Sequence, residues 1–158
     1  MLVLAILLGV FAVLHLPPLA RLGFLRTRRD KAAAAMAAMF LFTGADHFAN
    51  PQRYLPMMPP YVPWPGTMIY LSGFFELLGA AGLLWRKTRR WGGYGLAALL
   101  VAVFQANIYV ALAGGQVEGL PAGGWYYWVR LPLQFVFIGW AIWCAIAEDN
   151  SAPAPLPG

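Results

Sequence analysis

Charge is scarce in this chain, and thiol chemistry is nearly absent. Of 158 residues, six are Asp or Glu and eleven are Lys or Arg, together 11%, and there is one cysteine. A single thiol, Cys144, excludes intrachain CxxC redox chemistry, which needs an attacking and a resolving sulfur. No Cys/His pair has zinc-site spacing, so no metal is expected. Two histidines, His15 and His47, are expected near opposite membrane faces and so cannot bracket one haem iron. Glycine-rich phosphate loops and a GxSxG elbow are missing, and so is the apolar/polar alternation of strands. What is abundant is apolar surface, 61% of residues. A soluble domain of this length cannot bury that much, so the solvent is read as lipid.

The apolar runs predict an all-α integral membrane protein: a four-helix transmembrane bundle plus one extra N-terminal transmembrane helix. A bilayer core of about 30 Å needs about 20 helical residues, and the candidate spans are 2–20, 32–49, 67–85, 91–113 and 125–147. The first is read as an uncleaved span, since no basic residue precedes it and 17–21 is a poor cleavage site; Pro17 and Pro18 break its last turn. Residues 1–31 then form the extra helix and a basic loop, 32–147 the membrane domain, and 148–158 a disordered polar, Pro-rich tail. Nine of the eleven basic residues lie in two segments, 21–31 and 86–90, against Arg53 on the opposite side. The positive-inside rule places both in the cytoplasm, with the N-terminus outside and the C-terminus inside, in a bacterial-type inner (plasma) membrane. The net charge of +5 is explained by contact with anionic lipid headgroups, without nucleic acid. Residues 50–66 hold six prolines with Tyr54, Tyr61 and Trp64, the pattern of an ordered outer lid, whereas 114–124 is Gly-rich and reads as mobile.

Polar residues inside spans each cost about 2.5 kcal/mol or more, so the few present stand out: Asp46, His47, Glu76, Gln105, Asn107, Arg130 and Gln134. At helical rise, Glu76 lies about 13 Å, Asn107 about 9 Å and Arg130 about 7 Å below the outer ends of their spans. Thr43 and His47 share a helix face, as do Ser72 and Glu76, and Arg130 and Gln134. Gln105 and Asn107 are about 200° apart, and Asn107 is the one expected to face the centre. Each has a structural alternative: Glu76 and Arg130 as an ion pair, Asp46 as a solvated helix end, His47 as a satisfied interfacial histidine, Gln105 and Asn107 as interhelical contacts. Met57-Met58 reads as packing. Gly79 and Gly82 allow close approach of a neighbouring helix.

Several ordered stretches resemble the DoxX-like family of small membrane proteins: Phe42-Thr43-Gly44-Ala45-Asp46-His47-Phe48-Ala49-Asn50-Pro51, Met57-Met58-Pro59-Pro60-Tyr61, and Tyr70-Leu71-Ser72-Gly73-Phe74-Phe75-Glu76-Leu77-Leu78-Gly79. Val103-Phe104-Gln105-Ala106-Asn107 and Arg130-Leu131-Pro132-Leu133-Gln134 complete the set, over about 32–147. The resemblance implies a four-helix membrane bundle and brings forward His47, Glu76, Asn107 and Arg130. The family's name comes from a subunit associated with thiosulfate:quinone oxidoreductase, and relatives are implicated in membrane redox complexes and receptor assembly. The expectation is therefore a subunit of a redox-linked membrane complex, in lipid and beside other membrane-protein subunits, with an outer-leaflet pocket for a quinone-like ligand. Arg130 or Asn107 would donate to a carbonyl, His47 and Glu76 would relay protons, and Phe74, Phe75 and Phe104 would flank the tail. Thr43, Asp46, Ser72, Gln105 and Gln134 would support them. An assembly protein without chemistry of its own, and a small-solute transporter, are the alternatives.

Overall fold

A computed structural model describes residues 2–16, 25, 27–113 and 124–146. Among these the chain is helical, with no strand. The elements are α1 (Leu2–Val13), α2 (Arg28–Ala49), the single-turn α3 (Pro51–Tyr54) continued by a 3-10 turn over Leu55–Met57, α4 (Pro65–Leu84), α5 (Arg89–Ala113) and α6 (Trp125–Ala145). Helices α2, α4, α5 and α6 have 22, 20, 25 and 21 residues, hence about 30–38 Å at helical rise. All four are long and apolar enough to cross a membrane. Their outward faces carry exposed Leu41, Leu78, Val101, Leu112 and Phe135. Exposed Trp85 and Trp91 mark one end of the bundle, and Trp64, Trp125 and Trp128 the other, as aromatic belts do.

Of the N-terminal span expected over 2–20, the described residues show a helix over Leu2–Val13. Helix α1 has 12 residues, about 18 Å at helical rise, and is apolar throughout. Turns over 14–16 end it, and 17–24 lie outside the described residues. It lies along α2, with Leu7 fully buried and Phe11 edge-on to Trp140 of α6 at 5.3 Å. The expected tail 148–158 and most of the Gly-rich segment, 114–123, also fall outside the described residues.

The helices pack in the order α2, α4, α5, α6, and α6 returns to α2. Small residues bring the backbones close, as expected where lipid offers no hydrophobic drive between helices. A Cβ added at Gly73 would sit 2.6 Å from His47 Cβ, and one at Gly92 2.8 Å from the Gly82 carbonyl carbon. Gly82 therefore admits α5, as its position in the sequence suggested. Trp64 enters α4 with φ 48°, a left-handed backbone uncommon for a bulky residue.

The basic segments are more helical than the sequence reading had them. Arg28, Arg29 and Lys31 belong to the first turn of α2, and Arg89 and Arg90 open α5. The reason is Asp30, absent from the list of polar residues drawn from sequence. Thr27 and Asp30 form a capping box, each side chain accepting from the other's backbone N–H at 3.0 Å. The same carboxylate accepts from Arg86 Nη2 and Arg89 Nη1, both at 2.6 Å. Asp30 is 2% exposed and ties α2 to the α4–α5 connection.

Candidate functional site

Four helices turn polar side chains inward near the lid end. His47, Glu76, Asn107 and Gln134 are each 9% exposed or less. They fall into two groups on the walls of one cavity of about 260 Å³.

The first group joins α2 to α4. The Gly44/Gly73 crossing leaves no room for side chains between the backbones, so Thr43 and His47, one turn apart on α2, press against Glu76. Thr43 Oγ1 donates to Glu76 Oε2 at 2.6 Å, and His47 Nε2 stands 3.5 Å from Glu76 Oε1. His47 Nδ1 is buried without a hydrogen-bond partner. Its ring stacks on Tyr54 of α3, with centroids 4.0 Å apart.

Tyr54 and Asp46 fasten the lid. Pro51 at the first position of α3 costs no hydrogen bond, so the chain resumes helical winding directly after α2. Asn50, Arg53 and Tyr54 thereby return to Asp46: Asn50 Nδ2 donates to Oδ1 at 2.6 Å, Arg53 Nη1 to Oδ2 at 2.8 Å and Tyr54 Oη to Oδ2 at 2.6 Å. Asp46 is thus the anchor of the lid, which corrects its reading as a solvated helix end. Burial first, and then the Asp46 carboxylate that its hydroxyl faces, hold Tyr54 above the usual phenol range, so the hydroxyl keeps its proton and remains a donor.

The second group joins α5 to α6. Asn107 Nδ2 donates to Gln134 Oε1 at 3.1 Å, and Gln134 Nε2 donates to the Leu100 carbonyl at 2.8 Å. One turn before Gln134 on α6, Arg130 lines the cavity. Its guanidinium carbon is 5.9 Å from the Tyr126 ring centroid, and its Nη1 is buried with no hydrogen-bond partner. The Glu76–Arg130 ion pair weighed from sequence is not formed: among the described residues, the Glu76 carboxylate meets Thr43 and His47.

Ser72 lines the cavity, whereas Gln105 faces outward and accepts from the Tyr61 hydroxyl at 3.2 Å. Phe74 and Phe75 point away from the bundle, 53% and 45% exposed, and neither they nor Phe104 line the cavity. Its apolar walls come from Leu2, Val3 and Leu4 of α1, Met39 and Phe40 of α2, and Leu100, Val103, Leu133 and Phe137 of α5 and α6. Tyr54, Arg53 and the three α1 residues were missed in the sequence reading. For the lid a signal existed: Asp46, Asn50, Arg53 and Tyr54 recur at i, i+4, i+7 and i+8, one helical face continued across Pro51.

The pairing sets an expected outcome. Glu76→Leu and His47→Leu should couple by about 0.5–3 kcal/mol, the range for residues in contact, whereas Glu76→Leu and Arg130→Met should be additive. Thermal unfolding of the single and double variants in detergent measures both, and rescue of Glu76→Leu by Arg130→Met would contradict this geometry.

The architecture defines a helical bundle with four candidate membrane-spanning helices and a largely apolar cavity that carries buried polar side chains on its walls. The chain belongs to the family described as "Domain of unknown function (DUF8561)", whose model matches residues 36–145. That stretch holds all of the site's polar residues and excludes α1 and Asp30. No curated protein and no solved structure matches the chain.

Proposed function

We propose that this protein is a DoxX-like subunit of a redox-linked membrane complex, and that its lid-end cavity holds the head of a quinone-like molecule. The observation that carries this reading is a pair of buried nitrogens without partners, Arg130 Nη1 and His47 Nδ1, on residues that line a largely apolar cavity. Leaving a buried polar nitrogen unsatisfied costs about 1–3 kcal/mol, more when charged, and a ligand carbonyl at Arg130 or a ligand hydroxyl at His47 removes that cost. At about 260 Å³ the cavity lies just below the about 300–1,000 Å³ usual for ligand pockets, enough for a ring and the start of a tail. In this reading Arg130 donates to a carbonyl. Asn107, whose amide nitrogen is engaged by Gln134, positions α5 against α6. His47 and Glu76 carry protons between the head and the lid, and the α1, α5 and α6 side chains enclose the tail.

The test is mass spectrometry of what co-purifies in mild detergent, with titration of a short-tailed quinone followed by tryptophan fluorescence. The wild type is expected to retain a quinone. Arg130→Met and His47→Ala should each weaken binding about tenfold or more, the scale of one charge-assisted bond, while the melting temperature holds. A large membrane protein co-purifying stoichiometrically with no small molecule would replace this reading by the assembly role.

The same proposal places the basic end of the bundle in the cytoplasm of a bacterial-type inner membrane, with the lid outside. Cysteines introduced at positions 28 and 88 in a Cys144→Ser background should be protected from an impermeant reagent added to intact cells. Labelling of either reverses the orientation.

A further inference from the structure

The charges around the cavity specify its head group more closely than the donors do; this inference rests on reading the cavity as a ligand site. Among the described residues, four formally charged ones line it: Asp46, Arg53, Glu76 and Arg130. Asp46 and Arg53 neutralise each other at 2.8 Å. Glu76 is held by the Thr43 hydroxyl and faces the His47 ring. Arg130 differs: among the described residues no carboxylate forms an ion pair with it, and its guanidinium carbon lies 5.9 Å from the centroid of the Tyr126 ring. Its Nη1 is buried without a hydrogen-bond acceptor. A neutral carbonyl would occupy the donor and leave the charge uncompensated in a poorly solvated site, where an unpaired ion is costly. A negative oxygen satisfies both, and the guanidinium fork suits it through two parallel bonds. Asp46 and Glu76 already accept from their own donors, so neither competes for Arg130. Toward the bundle interior, Leu133 and Phe137 follow Arg130 on the same face of α6, with Leu100 and Val103 on α5 and Leu4 on α1 also lining the cavity.

We propose that the cavity takes an apolar-tailed anion, its negative oxygen on Arg130 and its tail between α5, α6 and α1. Two sources share that chemistry: the carboxylate of a single-chain lipid, and the ionised hydroxyl of a hydroxyquinone. The experiment titrates the full-length protein in neutral detergent with two matched pairs of probes, followed by tryptophan fluorescence. One pair is a polyene fatty acid and its methyl ester; the other is a 2-hydroxy-3-alkyl-1,4-naphthoquinone and its methyl ether. At least one anion is expected to bind about tenfold or more tightly than its neutral twin, about 1.4 kcal/mol. Preference in the first pair alone identifies a lipid acid, and in the second alone a hydroxyquinone. Arg130→Gln should abolish the preference and Arg130→Lys should keep part of it; if Arg130→Gln does not fold, the wild-type pairs and Arg130→Lys decide. Equal binding of the ether and the hydroxyquinone, with no preference in the acid pair, overturns the anionic head and leaves the quinone reading standing. Binding of none of the four overturns both.

Discussion

Asp30→Ala should be among the most damaging single substitutions in this protein, with a loss of about 3–5 kcal/mol, the cost of breaking a buried ion pair from one side. The carboxylate is 2% exposed and receives two arginines at 2.6 Å. The two do not contribute equally. The Arg86 side chain is 61% exposed, so water replaces its contact and its share is small. Arg89 is 13% exposed and is oriented by donating through Nε to the Leu83 carbonyl at 3.0 Å, so removal of Asp30 strands its charge near α2. The substitution also removes half of the capping box, worth about 1 kcal/mol. Asp30→Asn should fall between, since the amide oxygen still accepts one bond while the charge is gone. Thermal or denaturant unfolding in detergent checks the series, and a loss below about 1 kcal/mol for Asp30→Ala, within the range of exposed pairs, would show that the clamp is not structural.

Two glycines three residues apart on α5 should respond to the same change with opposite signs. An alanine Cβ at Gly92 would lie 2.8 Å from the Gly82 carbonyl carbon and the Leu83 nitrogen and 2.9 Å from the Gly79 oxygen. All three are backbone atoms of α4, which no rotamer change moves, so α5 must withdraw from α4. Overpacking of this kind costs about 1–3 kcal/mol or more, which outweighs the gain of about 1 kcal/mol from alanine's helix propensity. At Gly95 nothing lies within 4 Å of the added Cβ, so only the favourable term remains. Gly92→Ala should therefore lower the melting temperature and Gly95→Ala hold or raise it. Equal effects at both sites would mean that the α4–α5 contact is looser than these distances.

Glu76 is legible in the sequence as an inward position, but its partner is not. Depth along the helices and shared faces picked out His47, Glu76, Asn107 and Arg130, and all four line one cavity. Which of them pair was not legible. Glu76 and Arg130 are the obvious opposite charges, yet rotation of α4 against α2 at the Gly44–Gly73 crossing turns Glu76 toward Thr43 and His47. Gln105 and Asn107 were separable by phase, and Asn107 is the buried member. Phe74 and Phe75 were misassigned to the tail because aromatic identity does not distinguish a lipid-facing surface from a cavity wall when both are apolar.

The sequence by itself determined where the four long helices lie, to within about four residues at their ends, because a bilayer-sized run of apolar residues with few charges admits little else. It also determined the inward polar positions, because helical phase and the cost of polar groups in lipid constrain them together. Only the tertiary structure decided the long-range partners: Asp30 with Arg86 and Arg89 across two connections, and Gln134 with Asn107 and the Leu100 carbonyl. It likewise decided that α1 packs along α2 and walls the cavity. Those outcomes depend on contacts between residues distant in the chain, set by where small side chains let backbones approach, and no local periodicity encodes them.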